Sequence, residues 1–485
     1  MFWVVAIIYA LILVSITAWS QRRGTRAMNK SGEYYLSGSG VGWTVTGLTY
    51  AATGFSASTV IGTVGLAYTT GWGITWLIVA AALGFALCFT LLAPRIWKLA
   101  RSINALTAID LVQHRFQSKP LTIIASVMVV FFFVPYLAVQ FIGSGILFST
   151  FLGFPAWAAI LGFGVFVLAY VFIGGYRAVV YTDAFQGALL LIGFVSFATL
   201  GLIRFDFGEM IASFENAVPG GALSPTGTMG TLGILGLTLP FVFGYAGMPM
   251  MITRFMSLGS KRELPFAGFI ACLLAVAAAF FMVIATGMAH VVLDPVEVAD
   301  QVFPLLIMEI FPPVVAAGFL TVLLAAMMST GDSILHVCGT TISRDLIQRY
   351  FRPNISDKGL VFVTRISVIG VGLLGIAFAL LPNLPVLQLV VQWTFGVYAS
   401  TMTFVIIGVV WWKRMTSVAA ITAMIVGTIV YVGSHLLGEP LVPAIILAMG
   451  VVIPIVLVIT YVPKRRSPDA VERAHDVKRL STIND

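Results

Sequence analysis

One pattern constrains this chain more than any other: apolar stretches of membrane-crossing length follow one another from end to end. Basic residues gather in every second gap. The stretches lie near residues 3–19, 43–68, 74–94, 121–148, 156–173, 180–203, 232–252, 265–293, 314–338, 359–381, 387–411, 417–436 and 441–462. A helix needs about 20 apolar residues to cross the hydrocarbon core, so thirteen crossings fit within 485 residues. A β-barrel is excluded, because barrel strands alternate apolar and polar residues whereas 82–92 and 441–462 are continuous apolar blocks. Charged residues make up only 9% of the chain, against about 25% in an ordinary soluble domain. The expected class is an all-α, multi-pass protein of the plasma or inner membrane, with lipid as its surroundings.

Charge placement orients it. Arg22, Arg23 and Arg26 follow the first stretch and no basic residue precedes it, which is a stop signal rather than a cleaved leader. The N-terminus is therefore expected outside and the C-terminus in the cytoplasm. On that assignment, all but Arg204 of the 27 basic residues fall in cytoplasmic loops or the tail, as the positive-inside rule requires. The outer loops 204–231 and 294–313 are acidic instead. The net charge of +8 thus belongs to membrane topology, and no nucleic-acid partner is expected. Residues 1–463 form one transmembrane domain. The charged tail 464–485 is expected to be disordered or loosely helical, and it is too short for a catalytic module. Cys88, Cys272 and Cys338 sit in apolar stretches without metal spacing and read as core residues.

Two stretches are poorly suited to uniform helices. One holds Thr53, Gly54, Ser56, Ser58 and Thr59 at its centre, and the other reads Gly244-Tyr-Ala-Gly-Met-Pro249. Backbone carbonyls freed inside a bilayer must line a cavity or bind something. The two stretches are five crossings apart, so the second copy would be inverted relative to the first. Interrupted helices at matching positions of inverted halves point to a transporter's central site. The repeats would span about 43–203 and 232–411, with 3–19, 417–436 and 441–462 flanking them.

Of the 19 acidic residues, only Asp183 and Asp332 lie well inside a stretch. Charge at membrane depth is costly and marks ion or substrate paths. Ser329, Asp332 and Ser333 are spaced i, i+3, i+4 and share one helix face, with Thr330 beside it. Such an oxygen set suits a hard cation. Asp183 lies near the cytoplasmic end of its stretch and has two readings, an ion-path acid or the interfacial partner of Arg177. His290 and His336 read as satisfied helix residues. No nucleophile–base pair or metal cluster occurs at membrane depth, so an enzyme is not expected.

Four stretches together resemble the sodium:solute symporter family, and the likeness covers about residues 3–462. They are Glu33-Tyr-Tyr-Leu-Ser-Gly with the helix after it, Gly174-Gly-Tyr-Arg-Ala-Val-Val-Tyr-Thr-Asp-Ala-Phe-Gln-Gly187, Gly244-Tyr-Ala-Gly-Met-Pro-Met-Met-Ile-Thr-Arg-Phe-Met256, and Leu324-Ala-Ala-Met-Met-Ser-Thr-Gly-Asp-Ser333 followed by Ser343-Arg-Asp-Leu346. The resemblance implies a leucine-transporter-type inverted five-helix repeat with flanking helices. It implies a sodium ion held by the carbonyls of Ala52, Phe55 and Ala326 and by the hydroxyls of Ser329 and Thr330. Asp183, Asp332 and Ser333 would belong to a second cation site, although an acid at the Asp332 position is not general in the family. Solute would meet Ser56 and Thr59 on one broken helix and Phe241, Tyr245 and Pro249 on the other. The Gly-Tyr-x-Gly-x-Pro pattern is most similar to the proline, pantothenate and monocarboxylate branches. Proline carriers usually have Trp where Phe241 stands and often Gln-Pro-His where this chain has Met248-Pro249-Met250. Arg254, near the cytoplasmic end, reads as structural.

The function expected from these features is sodium-coupled import of a small carboxylate or amino-acid-like solute by alternating access, from a monomer or weak oligomer. Two alternatives stand beside it: a proton-coupled carrier of the same fold, and a transport-like channel or sensor.

Overall fold

The computed structural model describes residues 2–24, 31–382, 387–438 and 442–462. Arg26, Lys30 and the tail 464–485 lie outside the described residues. These residues are predominantly helical, and the one extended pairing among them is an isolated parallel bridge between Val41 and Leu258.

Eleven helices among the described residues are long and apolar enough to cross a membrane. One of them, Ala156–Arg204, runs for 49 residues. At about 1.5 Å per residue it would be roughly two and a half times the thickness of a hydrocarbon core of about 30 Å. It divides at Gly175, whose φ of 61° and ψ of −168° are not helical. Only glycine reaches this backbone conformation without strain, and a Cβ there would lie 2.8 Å from the Tyr34 ring. The stretch expected near 43–68 does not form one crossing helix. It is divided into Trp43–Gly54, a wide π-type turn at Ser58–Gly62, and Thr63–Thr70. An expected thirteen crossings therefore depends on dividing the long helix at Gly175 and on counting the interrupted segment once.

Polarity is arranged inside out relative to a soluble protein. Large apolar side chains face outward, with Ile203 77% and Phe269 68% exposed. Asp183, Ser329, Thr330, Asp332 and Ser333 are completely buried. In lipid the outer surface needs no polar cover, whereas every interior polar group must find a partner.

The helix Pro313–Thr340 lies at the centre. It packs on Ala156–Arg204, Lys119–Leu152 and Trp43–Gly54, and the N-terminal helix Phe2–Gly24 covers it together with Ala156–Arg204. Close approach sets the register between Ala156–Arg204 and Trp43–Gly54. A Cβ at Gly187 would sit 2.6 Å from the Leu48 carbonyl oxygen. That contact brings Asp183, one turn earlier, against Thr49.

Candidate cation and solute site

The site begins with a failure of helical hydrogen bonding. Trp43–Gly54 ends where Phe55 turns extended, at φ −106° and ψ 112°. The next three N–H groups do not reach back to the carbonyls four residues earlier. Ser56 N–H donates to Thr59 Oγ1 at 3.3 Å, Ala57 N–H to Gln140 Oε1 at 3.0 Å, and Ser58 N–H to Ser56 Oγ at 3.2 Å. The carbonyls of Ala52, Thr53 and Gly54 are left to partners from other helices. Ser329 Oγ donates to Ala52 O at 2.9 Å, Thr330 Oγ1 to Thr53 O at 3.1 Å, and Tyr245 Oη to Gly54 O at 3.4 Å. Thr330 Oγ1 also lies 3.5 Å from Phe55 O and 3.3 Å from Ala326 O, and Ser329 Oγ is 3.3 Å from Ala326 O. The five atoms expected to hold sodium thus converge between the first broken helix and Pro313–Thr340. All are neutral oxygens and all belong to buried residues, a donor set suited to a hard monovalent cation that must also be released.

The second interruption lies in the stretch expected near 232–252. Gly230–Gly247 stops at Met248, which is extended (φ −78°, ψ 117°), and Pro249–Ser257 begins anew. Proline explains the break, because it has no N–H and pushes the preceding residue out of the helical region. The two breaks meet through the Tyr245–Gly54 hydrogen bond.

The expected solute residues gather here. Ser56 Oγ and Ser58 Oγ are 2.8 Å apart. Phe241 stacks on Phe395 with centroids 4.2 Å apart, and Tyr245 meets Phe85 and Phe395 edge-on at 4.7 and 4.8 Å. Pro249 is buried at the start of its helix. Sequence reasoning passed over Gln140, Phe395 and Tyr136. Gln140 was findable as the one amide in the apolar helix Lys119–Leu152. Tyr136 and Phe395 look like core aromatics in sequence, yet the buried Tyr136 hydroxyl has no close hydrogen-bond partner among the described residues.

Asp183 does not pair with Arg177. Arg177 Nη1 instead lies 3.8 Å from Glu33 Oε2, where both side chains are partly exposed. The reason is geometric, since residues six apart do not share a helix face. Asp183 Oδ2 accepts from Arg254 Nη2 at 2.9 Å, Thr49 Oγ1 at 2.8 Å, Thr53 Oγ1 at 3.2 Å and Ser333 Oγ at 3.3 Å. Arg254 is not at the protein's edge either, being 1% exposed. Side chains on a helix lean toward its N-terminus, so Arg254 reaches back toward the Met248–Pro249 break. Its Nη2 also donates to Thr53 Oγ1 at 2.9 Å and to Ser333 Oγ.

Asp332 and Ser333, expected to act together with Asp183, lie in contact with one another but have different further partners. Ser333 faces Asp183 and Arg254, whereas Asp332 Oδ2 accepts from Tyr170 Oη at 2.5 Å. Ser333 Oγ keeps a longer contact of 3.3 Å to Asp332 Oδ1. Each histidine has a backbone carbonyl partner, but the buried Nδ1 of His336 has none among the described residues. His290 Nε2 lies 3.0 Å from Tyr68 O and His336 Nε2 3.1 Å from Tyr34 O. The first and fourth resembling stretches also meet, through Tyr35 Oη and Ser343 Oγ at 3.0 Å.

A family model described as the sodium:solute symporter family matches residues 34–427. The chain belongs to that family. Sodium-coupled solute symport is accordingly its activity, sodium is its coupling ion, and it is a transporter rather than an enzyme. Among similar proteins are the sodium/proline symporters of Staphylococcus aureus strains JH9 and NCTC 8325 / PS 47. Each is 29% identical over 441 residues, covering 88% of this chain and 84% of the relative. The fold is similar to that of a substrate-bound, outward-open Na+-coupled sialic acid symporter. The TM-score is 0.81 at 18% identity, covering 96% of this chain and 98% of the other. MhsT in complex with L-phenylalanine aligns with a TM-score of 0.55 at 16% identity, over 90% and 97% of the two chains. The leucine-transporter-type architecture expected from the sequence is the fold of this symporter.

Proposed function

We propose that this symporter imports a small carboxylate or amino-acid-like solute together with sodium bound by Ala52, Phe55, Ala326, Ser329 and Thr330. One observation carries the cation assignment. Three consecutive N–H groups after the break are satisfied by side chains, which frees carbonyls to face two hydroxyls of Pro313–Thr340. Sodium entering there replaces the Ser329 and Thr330 hydrogen bonds with ion contacts and ties the broken helix to its neighbour.

Solute is held at the two breaks, where Phe85, Phe241, Tyr245 and Phe395 form an aromatic wall and Ser56, Thr59 and Tyr136 supply hydroxyls. The start of Pro249–Ser257 offers positive dipole ends for a carboxylate. The proline named for the Staphylococcus relatives is the first solute to try, with short monocarboxylates next. The basic loops support an outside N-terminus and a cytoplasmic C-terminus. The membrane potential contributes about 2.3 kcal/mol per charge per 100 mV. One sodium therefore supplies roughly 3.5 kcal/mol at ~150 mV, a few-hundred-fold accumulation before its own gradient is added.

The test is uptake of labelled proline and of short monocarboxylates into proteoliposomes, with an inward gradient of sodium or of choline. Ser329→Ala with Thr330→Ala is expected to abolish the sodium-stimulated component while the protein still inserts. Unchanged sodium dependence in that double variant overturns the assignment.

A further inference from the structure

Arg254 is the feature that sodium coupling at Ser329 and Thr330 leaves unused. It is the largest fully buried charged side chain among the described residues. Its Nη2 reaches three oxygens that come from three different helices. These are Thr53 Oγ1 on the first broken helix at 2.9 Å, Asp183 Oδ2 on Ala156–Arg204 at 2.9 Å, and Ser333 Oγ on Pro313–Thr340. Nη1 is anchored within its own helix, donating to Met250 O at 2.9 Å. The Tyr176 ring lies 5.6 Å from the guanidinium carbon.

A carboxylate and two hydroxyls converging on one point, away from water, are what a second hard cation would ask for. Here the point is taken by a nitrogen of the chain. A buried carboxylate is tolerable only if its charge is met, and Arg254 meets it permanently. A sodium ion at the same point would stand within contact distance of the guanidinium and be repelled by it. Asp332 does not displace Arg254 from Asp183 Oδ2, because its own Oδ2 is engaged by Tyr170 Oη while its Oδ1 lies 3.3 Å from Ser333 Oγ.

We propose that Arg254 is this symporter's second cation: a tethered guanidinium held between Asp183, Thr53 and Ser333 in place of a second sodium. The stoichiometry is then one sodium per chain and per cycle. Arg254 is a positioning residue. It joins the helix after the second break to Thr53 beside the first, and it carries no charge across the membrane. This inference builds on the sodium assignment at Ser329 and Thr330.

The experiment is equilibrium binding of 22Na+ alone to the purified full chain at saturating sodium. Wild type is expected to bind one ion with a Hill coefficient of 1. Arg254→Gln frees the carboxylate and both hydroxyls, and the count is expected to rise to two. Adding Asp183→Asn to that variant removes the charge and returns the count to one. If Arg254→Gln does not fold, Asp183→Leu with Arg254→Met decides: a count that stays at one supports the proposal, and a count that falls to none overturns it. Two ions in wild type, or a folded Arg254→Gln that still binds one, overturns it. Two ions bound by wild type and one by Ser329→Ala/Thr330→Ala would sink this inference and spare the sodium assignment. No sodium bound by wild type sinks the sodium assignment itself.

Discussion

Two oxygen clusters lie one helical turn apart on Pro313–Thr340, around Thr330 and around Ser333, and they differ in the source of positive charge. The first contains only carbonyls and hydroxyls. It has no charge of its own, so a bound ion is attracted by dipoles and can leave. The second contains Asp183, and with it the Arg254 guanidinium at 2.9 Å. The Asp183 charge is met within the chain. Neutral oxygens make a place to load and unload, whereas a carboxylate brings a cation that stays.

The strongest way to break this contrast is to unbalance the second cluster. Asp183→Ala leaves Arg254 buried without its partner. Losing one member of a buried pair costs about 3–5 kcal/mol, so the purified variant is expected to melt far below wild type or to be lost during extraction. Asp183→Leu with Arg254→Met removes both charges and is expected to recover most of that loss. A double variant no more stable than Asp183→Ala would show that the pair is not the source of the effect. Thermal unfolding in detergent, followed by the tryptophan signal, distinguishes the two outcomes.

A smaller effect concerns a carboxyl outside the membrane-spanning segments. Asp300 is buried in the short turn Ala299–Gln301, and burial raises its carboxyl from 3.8 to about 6. The Leu387 N–H, which donates to Oδ2 at 3.2 Å, only partly offsets this. The folded state therefore favours the protonated form. That preference is fully present below the unfolded value and is lost as pH rises through about 6. Wild type is expected to lose about 1–3 kcal/mol between pH 4 and pH 7 from this group. Asp300→Asn should flatten that step. The contrast with Asp183 is direct: both carboxyls are buried, but only Asp183 has a cation beside it. Melting temperatures at several pH values, wild type against Asp300→Asn, measure it. An unchanged step in the variant would show that another group titrates there.

Much of the site was legible in the sequence because few residues have a bland role at membrane depth. Gly54 and Ser56 within one stretch, and Gly247 with Pro249 in another, leave backbone groups that a bilayer cannot satisfy. Both breaks occur at those residues. Ser329 and Thr330 were legible as a hydroxyl pair on the facing helix. Arg254 was not. It stands six residues past the break, close to a basic loop, and linear position hides how far a long side chain reaches back along its helix. The aromatic wall was only half legible. Phe241 and Tyr245 flank a glycine-rich break, but Phe85 and Phe395 lie in ordinary apolar runs, and only tertiary packing brings them to it. The different further partners of Asp332 and Ser333 were also hidden. Neighbouring residues on a helix differ by about 100°, enough to turn one toward Tyr170 and the other toward Arg254.

The smallest expected effect isolates burial as the variable. Arg177–Glu33 and Arg254–Asp183 are both Arg–carboxylate pairs involving the same helix, Ala156–Arg204. Arg177 and Glu33 are 26% and 28% exposed and lie 3.8 Å apart, whereas the other pair is 1% and 0% exposed at 2.9 Å. Water screens the first pair, and side-chain entropy opposes it, so exposed pairs contribute about 0–1 kcal/mol. Arg177→Ala is therefore expected to shift the melting temperature little and to leave sodium-stimulated uptake within about twofold of wild type. The residual effect should vanish in high salt, because exposed charges are screened there and buried ones are not. A loss approaching that of Asp183→Ala would mean that Arg177 supports Asp183 after all, and that the sequence reading which paired them had the right partner.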